Sequence, residues 1–98
     1  MVRVVIGRRA KPGKANELDE AIYQLRAKAM KQPGYINGEN LRGYDDPCLV
    51  MVISTWASIE AWGRWEQSSE RVEQIALINK LVEGEAKTSI WSPSGTKE

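Results

Sequence analysis

The segment Cys48-Leu49-Val50-Met51-Val52-Ile53-Ser54-Thr55-Trp56 constrains this chain more than any other. It is rich in β-branched and apolar residues and follows the turn signal Asp45-Asp46-Pro47, which predicts a strand. Side chains alternate across a strand, so Leu49, Met51 and Ile53 point one way and Val50, Val52 and Trp56 the other. A strand that is apolar on both faces is normally covered on both. The opening run Val2-Arg3-Val4-Val5-Ile6, ending near Arg8-Arg9, has the same character, with Val4 and Ile6 opposite Val5.

Between these strands, Lys11-Pro12-Gly13 is a turn, and Ala15, Leu18, Ile22, Leu25 and Ala29 recur at helical spacing from Lys14 to Met30. Acids gather early in that helix and bases late, which suits its dipole, and Pro33-Gly34 ends it. Tyr35 to Tyr44 alternates loosely and predicts a second strand in a hairpin with Cys48–Trp56. Ser58 caps a further helix that carries Ala61, Trp62 and Trp65. Ser68-Ser69-Glu70 marks an interruption and a new cap, and a last helix runs to about Val82. Gly84 then breaks it, and Glu85 to Trp91 is the fourth strand. Ser92 to Glu98 is a polar tail, and residues 1–98 are expected to form one domain.

The order β-α-β-β-α-β predicts an α+β, ferredoxin-like four-stranded antiparallel sheet with helices on one face. Strands one and three belong in its centre and the more polar strands two and four at its edges. The helices can cover only one side of the central strands. A second copy of the chain is the simplest cover for the other, so a homodimer packed sheet to sheet is expected.

Composition narrows the chemistry. The sequence has no His and a single Cys, Cys48. Catalysis by Ser-His-Asp or Cys-His groups, His-ligated metals and an internal disulfide are therefore excluded within one chain. No metal site is expected. The net charge of +1 argues against nucleic-acid or membrane-surface partners, both of which favour a basic excess. No apolar run approaches membrane-spanning length and no signal sequence opens the chain, so a cytoplasmic protein is expected. The topology also occurs in RNA-recognition modules, but those stack bases on aromatics of strands one and three, where this chain has Val-Val-Ile and one terminal Trp.

Two segments carry a family likeness. Pro33-Gly34-Tyr35-Ile36-Asn37-Gly38-Glu39 resembles the Pro-Gly-aromatic opening of the second strand in the antibiotic-biosynthesis monooxygenase family, with its Glu four residues after the aromatic. Trp56-Ala57-Ser58-Ile59-Glu60-Ala61-Trp62-Gly63-Arg64-Trp65 resembles that family's strand-to-helix junction. The likeness implies a dimeric α+β barrel, two sheets facing each other with helices outside. It also implies a small-molecule pocket between sheet and helices of each protomer. In the family's haem-degrading branch a Trp on the second helix packs against the haem, and Trp65 takes that place. The branch's iron-ligating His position is held here by Ile75, and its active-site Asn position falls at Ile6, so haem degradation is not expected. The cofactor-free branch, which oxidises electron-rich phenols, fits the residue inventory. Such a substrate, once deprotonated, passes an electron to dioxygen unaided, and the protein needs only to bind it, take its proton and exclude water.

The expected reading is a cofactor-independent monooxygenase acting on an aromatic, quinol-type molecule. The alternative is a non-catalytic, dimeric ligand-binding or stress-associated barrel. Glu39 and Asn37, which share one face of the second strand, are the candidate catalytic pair, with Glu39 as proton acceptor. Trp65, Ile75, Ile6, Tyr23 and Arg8 are the candidate substrate-binding residues. Tyr35 and Tyr44 could also hydrogen-bond a phenolic ligand.

Overall fold

The computed structural model describes residues 1–93. The chain runs β1 (Val2–Ala10), α1 (Ala15–Ala29), β2 (Tyr35–Arg42), β3 (Leu49–Trp56), α2 (Ile59–Glu66), α3 (Ser69–Asn79) and β4 (Val82–Trp91). The sheet order is β2-β3-β1-β4 and every pairing is antiparallel, so the two apolar strands do lie at its centre. Residues 94–98, most of the expected polar tail, fall outside the described residues.

Burial separates the two faces of the sheet. Val2, Val4, Ile6, Arg8 and Ala10 of β1 are buried beneath the helices, while Arg3 and Arg9 are exposed and Val5 is half-buried. The register carries this division across to β3: Ile6 faces Val52 and Arg8 faces Val50 on the helix side, and Val5 faces Ile53 on the other. Leu18, Ile22, Leu25 and Ala29 of α1 meet Ala61, Trp62 and Trp65 of α2 and Ile78 of α3 in one core. Gln74 is buried where α3 crosses α1. Its amide donates to the Ala21 carbonyl at 2.9 Å and its oxygen accepts from Lys28 Nζ at 3.2 Å.

Local signals start α2 and α3 where expected. Ser58 Oγ accepts from the Ala61 N–H at 3.1 Å, and Ser68 Oγ from the Arg71 N–H at 3.2 Å, satisfying donors that each helix start leaves free. Gly34 takes φ 90°, and a Cβ there would stand 2.5 Å from Ala61 Cβ, so the turn into β2 needs glycine for both backbone and space.

Two irregularities depart from the sequence reading. The last helix ends at Asn79 and β4 starts at Val82. The Ile78–Val82 spacing suits a helix, but Val82 instead pairs with Ala10 of β1. Gly84, with φ 70°, is not a helix stop. It lies in β4 where the β1–β4 register slips between Gly7 and Arg9. The second irregularity is in β2, where Tyr35 pairs with Trp56 but Asn37 pairs with Thr55, leaving Ile36 as an extra residue. One inserted residue exchanges the two faces of everything after it.

Candidate active site

That bulge decides which side chains share a site. Strict alternation from Tyr35 would put Asn37 and Glu39 on its face. After the bulge, Gly38 faces Ser54 and Asn40 faces Val52, so these two join Tyr35 on the helix side. Glu39 pairs with Ile53 on the opposite face, and its side chain is exposed. Gly38 is required by this arrangement, since a Cβ would meet Tyr35 Oη at 2.6 Å.

Beneath the helices lies a cavity of about 40 Å³. Its aromatic wall is a cluster centred on Trp56, which is fully buried. Tyr35 meets Trp56 edge-on at 5.3 Å between ring centres, and Trp62 meets it at 5.8 Å. Trp65 lies nearly parallel to Trp56, 6.4 Å away at 21°. Ile6, Ile22, Leu25 and Val52 supply aliphatic surface.

The lining surface is mostly apolar, and the polar residues that reach it include three cations as well as Tyr35, Asn40 and Ser54. Arg8, Arg26 and Arg71 all reach the cavity, from β1, α1 and α3. Arg26 Nη2 donates to the Gly38 carbonyl at 2.6 Å, and the Arg71 guanidinium stands 5.2 Å over the Trp62 ring. Burial holds the Arg8 guanidinium well below its usual range, at about 10, and the like charge of Arg71 adds to the effect. Burial also lowers Arg71, with Glu66 acting in the opposite direction. Several buried polar atoms have no hydrogen-bond partner among the described residues: Arg8 Nε, Arg26 Nε, Tyr35 Oη and both amide atoms of Asn40. Five such atoms around one cavity is a concentrated exception to the rule that buried polar groups are paired. Among the described residues no group of three His, Cys, Asp or Glu side chains is placed to hold a metal ion.

The cavity brings together Ile6, Arg8, Tyr35 and Trp65 of the residues singled out from sequence. Glu39 sits at its rim with an exposed side chain, and Asn37 is exposed on the same open face of the sheet. Tyr23 lies on the outer side of α1, 57% exposed, and Tyr44 is fully exposed. Ile75 is half-buried against the core and does not line the cavity. Sequence reasoning missed Arg26, Arg71 and Asn40. Arg26 and Arg71 read as ordinary solvent-facing helix charges, and Asn40 could be found only by knowing of the Ile36 bulge.

The opposite face of the sheet is bare in the single chain. Leu41, Leu49, Met51 and Trp91 are each more than two-fifths exposed. Leu41, Leu49 and Met51 line an open groove of about 650 Å³, rimmed by Arg9, Lys87, Glu83 and Glu85. No helix among the described residues is long and apolar enough to cross a membrane.

An antiparallel sheet with helices on one face, and an aromatic, arginine-lined cavity between them, defines the structural class. The family model for antibiotic biosynthesis monooxygenase matches residues 1–75, and the chain belongs to that family. Solved structures share its fold. A variant of SnoaB from Streptomyces nogalater, described as a cofactor-independent oxygenase, superposes with a TM-score of 0.88 at 18% identity, over 97% of this chain and 94% of that one. A conserved protein from Methanosarcina mazei Go1 gives 0.86 at 20% identity, over 92% and 89%. A protein from Shewanella oneidensis gives 0.84 at 20% identity, over 92% and 87%. No curated protein matches the chain in sequence.

Proposed function

We propose that this protein is a cofactor-independent monooxygenase that oxidises an aromatic, quinol-type molecule held between sheet and helices. The observation that carries the reading is the union, in one cavity, of the Trp56–Trp65 wall with buried Nε atoms of Arg8 and Arg26 and an Asn40 amide that have no hydrogen-bond partner among the described residues. Family membership supports the reaction class.

The chemistry needs little from the side chains. A guanidinium beside a phenol or enol favours its anion, as any nearby opposite charge does. The substrate's proton leaves to solvent, and the anion gives one electron to dioxygen. Superoxide and the substrate radical combine at carbon to form a peroxide. The peroxide takes up a proton and loses water as the remaining C–H bond and the O–O bond break. One oxygen atom ends in the new carbonyl and one in water, and the substrate supplies all the electrons. In this scheme Arg8 and Asn40 stabilise the anion, Trp65 orients the ring, and the helices keep water from the radical pair.

A cavity that admits benzene measures about 150 Å³, so the wall must yield before a ring system enters the space of about 40 Å³ found here. The cap at Ser68 separates α2 from α3, and rotation of α2 about this break would move Trp62 and Trp65 together.

We further propose that the functional unit is a homodimer joined through the open sheet faces. Leu41, Leu49 and Met51 would be covered by the same patch of a second copy, and the rim carries both charge signs, as a two-fold interface requires. Within such a dimer Asn37 and Glu39 would face the partner rather than the substrate.

Oxygen uptake across a panel of hydroquinones and anthrones tests the activity. Turnover that falls at least tenfold in Trp65→Ala supports it. Binding without oxygen consumption on any member would establish a ligand-binding barrel in its place.

A further inference from the structure

We infer that the cavity selects an aromatic ligand bearing an acid group, a carboxylate or an already ionised phenol, and that Arg8 is the residue that reads the charge. The inference rests on the reading above that this cavity is the ligand site.

The argument is one of charge balance. Arg8 is 6% exposed, and a buried charge is normally neutralised by a partner. The ion pairs among the described residues are Arg9–Asp46, Lys14–Glu17 and Arg42–Asp19, so none involves Arg8, Arg26 or Arg71. Glu39 is the one acidic residue among those lining the cavity, and its exposed side chain belongs to the other face of the sheet. The charge that perturbs Arg8 is another cation, Arg71, which is itself only partly offset by Glu66. A binding site for a ring that carries no charge at any stage would gain nothing from these charges and would carry their desolvation cost. An anion removes that cost and supplies acceptors for the free Nε–H groups of Arg8 and Arg26, the Asn40 amide and the Tyr35 hydroxyl.

Size fixes the orientation. A space of about 40 Å³ suits a carboxylate and not a ring system. The acid group therefore goes against Arg8, and the rings take the space that Trp62 and Trp65 leave when they move.

Two matched probes test this, 2-naphthoate and 2-naphthamide, which have nearly the same shape and differ in charge. Tryptophan fluorescence quenching or calorimetry on the intact protein is expected to show naphthoate binding at least tenfold more tightly. Arg8→Met should abolish that preference while leaving naphthamide binding within about threefold, and Arg71→Met should reduce the preference without removing it. Equal affinity for the two probes in the wild-type protein would overturn the inference. So would a preference that survives intact in Arg8→Met. The readout is independent of oxygen chemistry. Acid-selective binding without turnover would leave the inference standing and sink the monooxygenase, and turnover of neutral quinols with no acid preference would do the reverse.

Discussion

Replacing Arg8 by Met should make this protein more stable while impairing its ligand site. Folding lowers the pKa of the Arg8 guanidinium well below its ordinary value, to about 10. That difference corresponds to about 3 kcal/mol by which the folded state disfavours the charged form. Because the folded pKa lies below the unfolded one, the unfolded chain binds more protons between these values, and stability rises with pH across that window. At neutral pH both states are protonated and the penalty is present in full. Methionine is unbranched, apolar and close to arginine in length, so it can pack beside Ile6 and Val50 without the penalty. Replacing uncompensated buried charge with apolar surface of similar volume is neutral or stabilising by about 1–4 kcal/mol. Arginine's stem already contributes packing, so a gain of about 1–2 kcal/mol is expected. For a domain of this size that raises the melting temperature by about 4–8 °C per kcal/mol. Thermal and urea denaturation followed by circular dichroism at neutral pH would measure it. A loss of more than about 1 kcal/mol would refute the reasoning, because it would mean that the protein itself compensates the Arg8 charge.

Other expectations follow from packing and assembly. Trp56→Ala removes the fully buried centre of the aromatic cluster and should cost about 3–5 kcal/mol, a large share of a small domain's stability, read from its urea midpoint. Gly34→Ala forces a side chain onto φ 90° with its Cβ 2.5 Å from Ala61 Cβ, and should cost at least about 2 kcal/mol in the same assay. Ser68→Ala, which loses the α3 cap, should cost about 1 kcal/mol and be seen first as faster amide exchange at Arg71. Met51→Lys, at the centre of the open groove, should convert a two-chain assembly into single chains in sedimentation at micromolar concentration, with helix content unchanged. A wild-type protein that already sediments as one chain would remove the homodimer.

How much of this could be read in the residues depends on the kind of signal. The two-faced apolar strands declare themselves through alternation, which is local, and they correctly fix the sheet's centre. Serines at the helix starts are equally local, and Ser58 and Ser68 cap as read. The limits of β4 were not legible. Val82 satisfies helical spacing from Ile78 and strand pairing with Ala10 equally well, and only the second buries it against the sheet. The site was half-legible. Ile6, Arg8 and Trp65 stand where a regular strand and helix put them, whereas Glu39, Asn37 and Asn40 depend on one inserted residue at Ile36. The local signal for the bulge is Gly38, a glycine inside a strand that points to a bulge or a close backbone approach, and there the Tyr35 hydroxyl does pass over it while the ring packs edge-on against Trp56. The arginines that converge on the cavity come from three separate elements, and no spacing within the chain announces that they meet.

The most direct test of the proposed activity is a single-turnover experiment on protein purified with a chelator present. An anthrone bearing a carboxylate would be supplied with isotopically labelled dioxygen and no reductant. The account predicts one labelled oxygen atom in the carbonyl of the product and one in water, with the rate sharply reduced in Arg8→Met. Product oxygen drawn from solvent, or turnover that requires added metal or flavin, would contradict it.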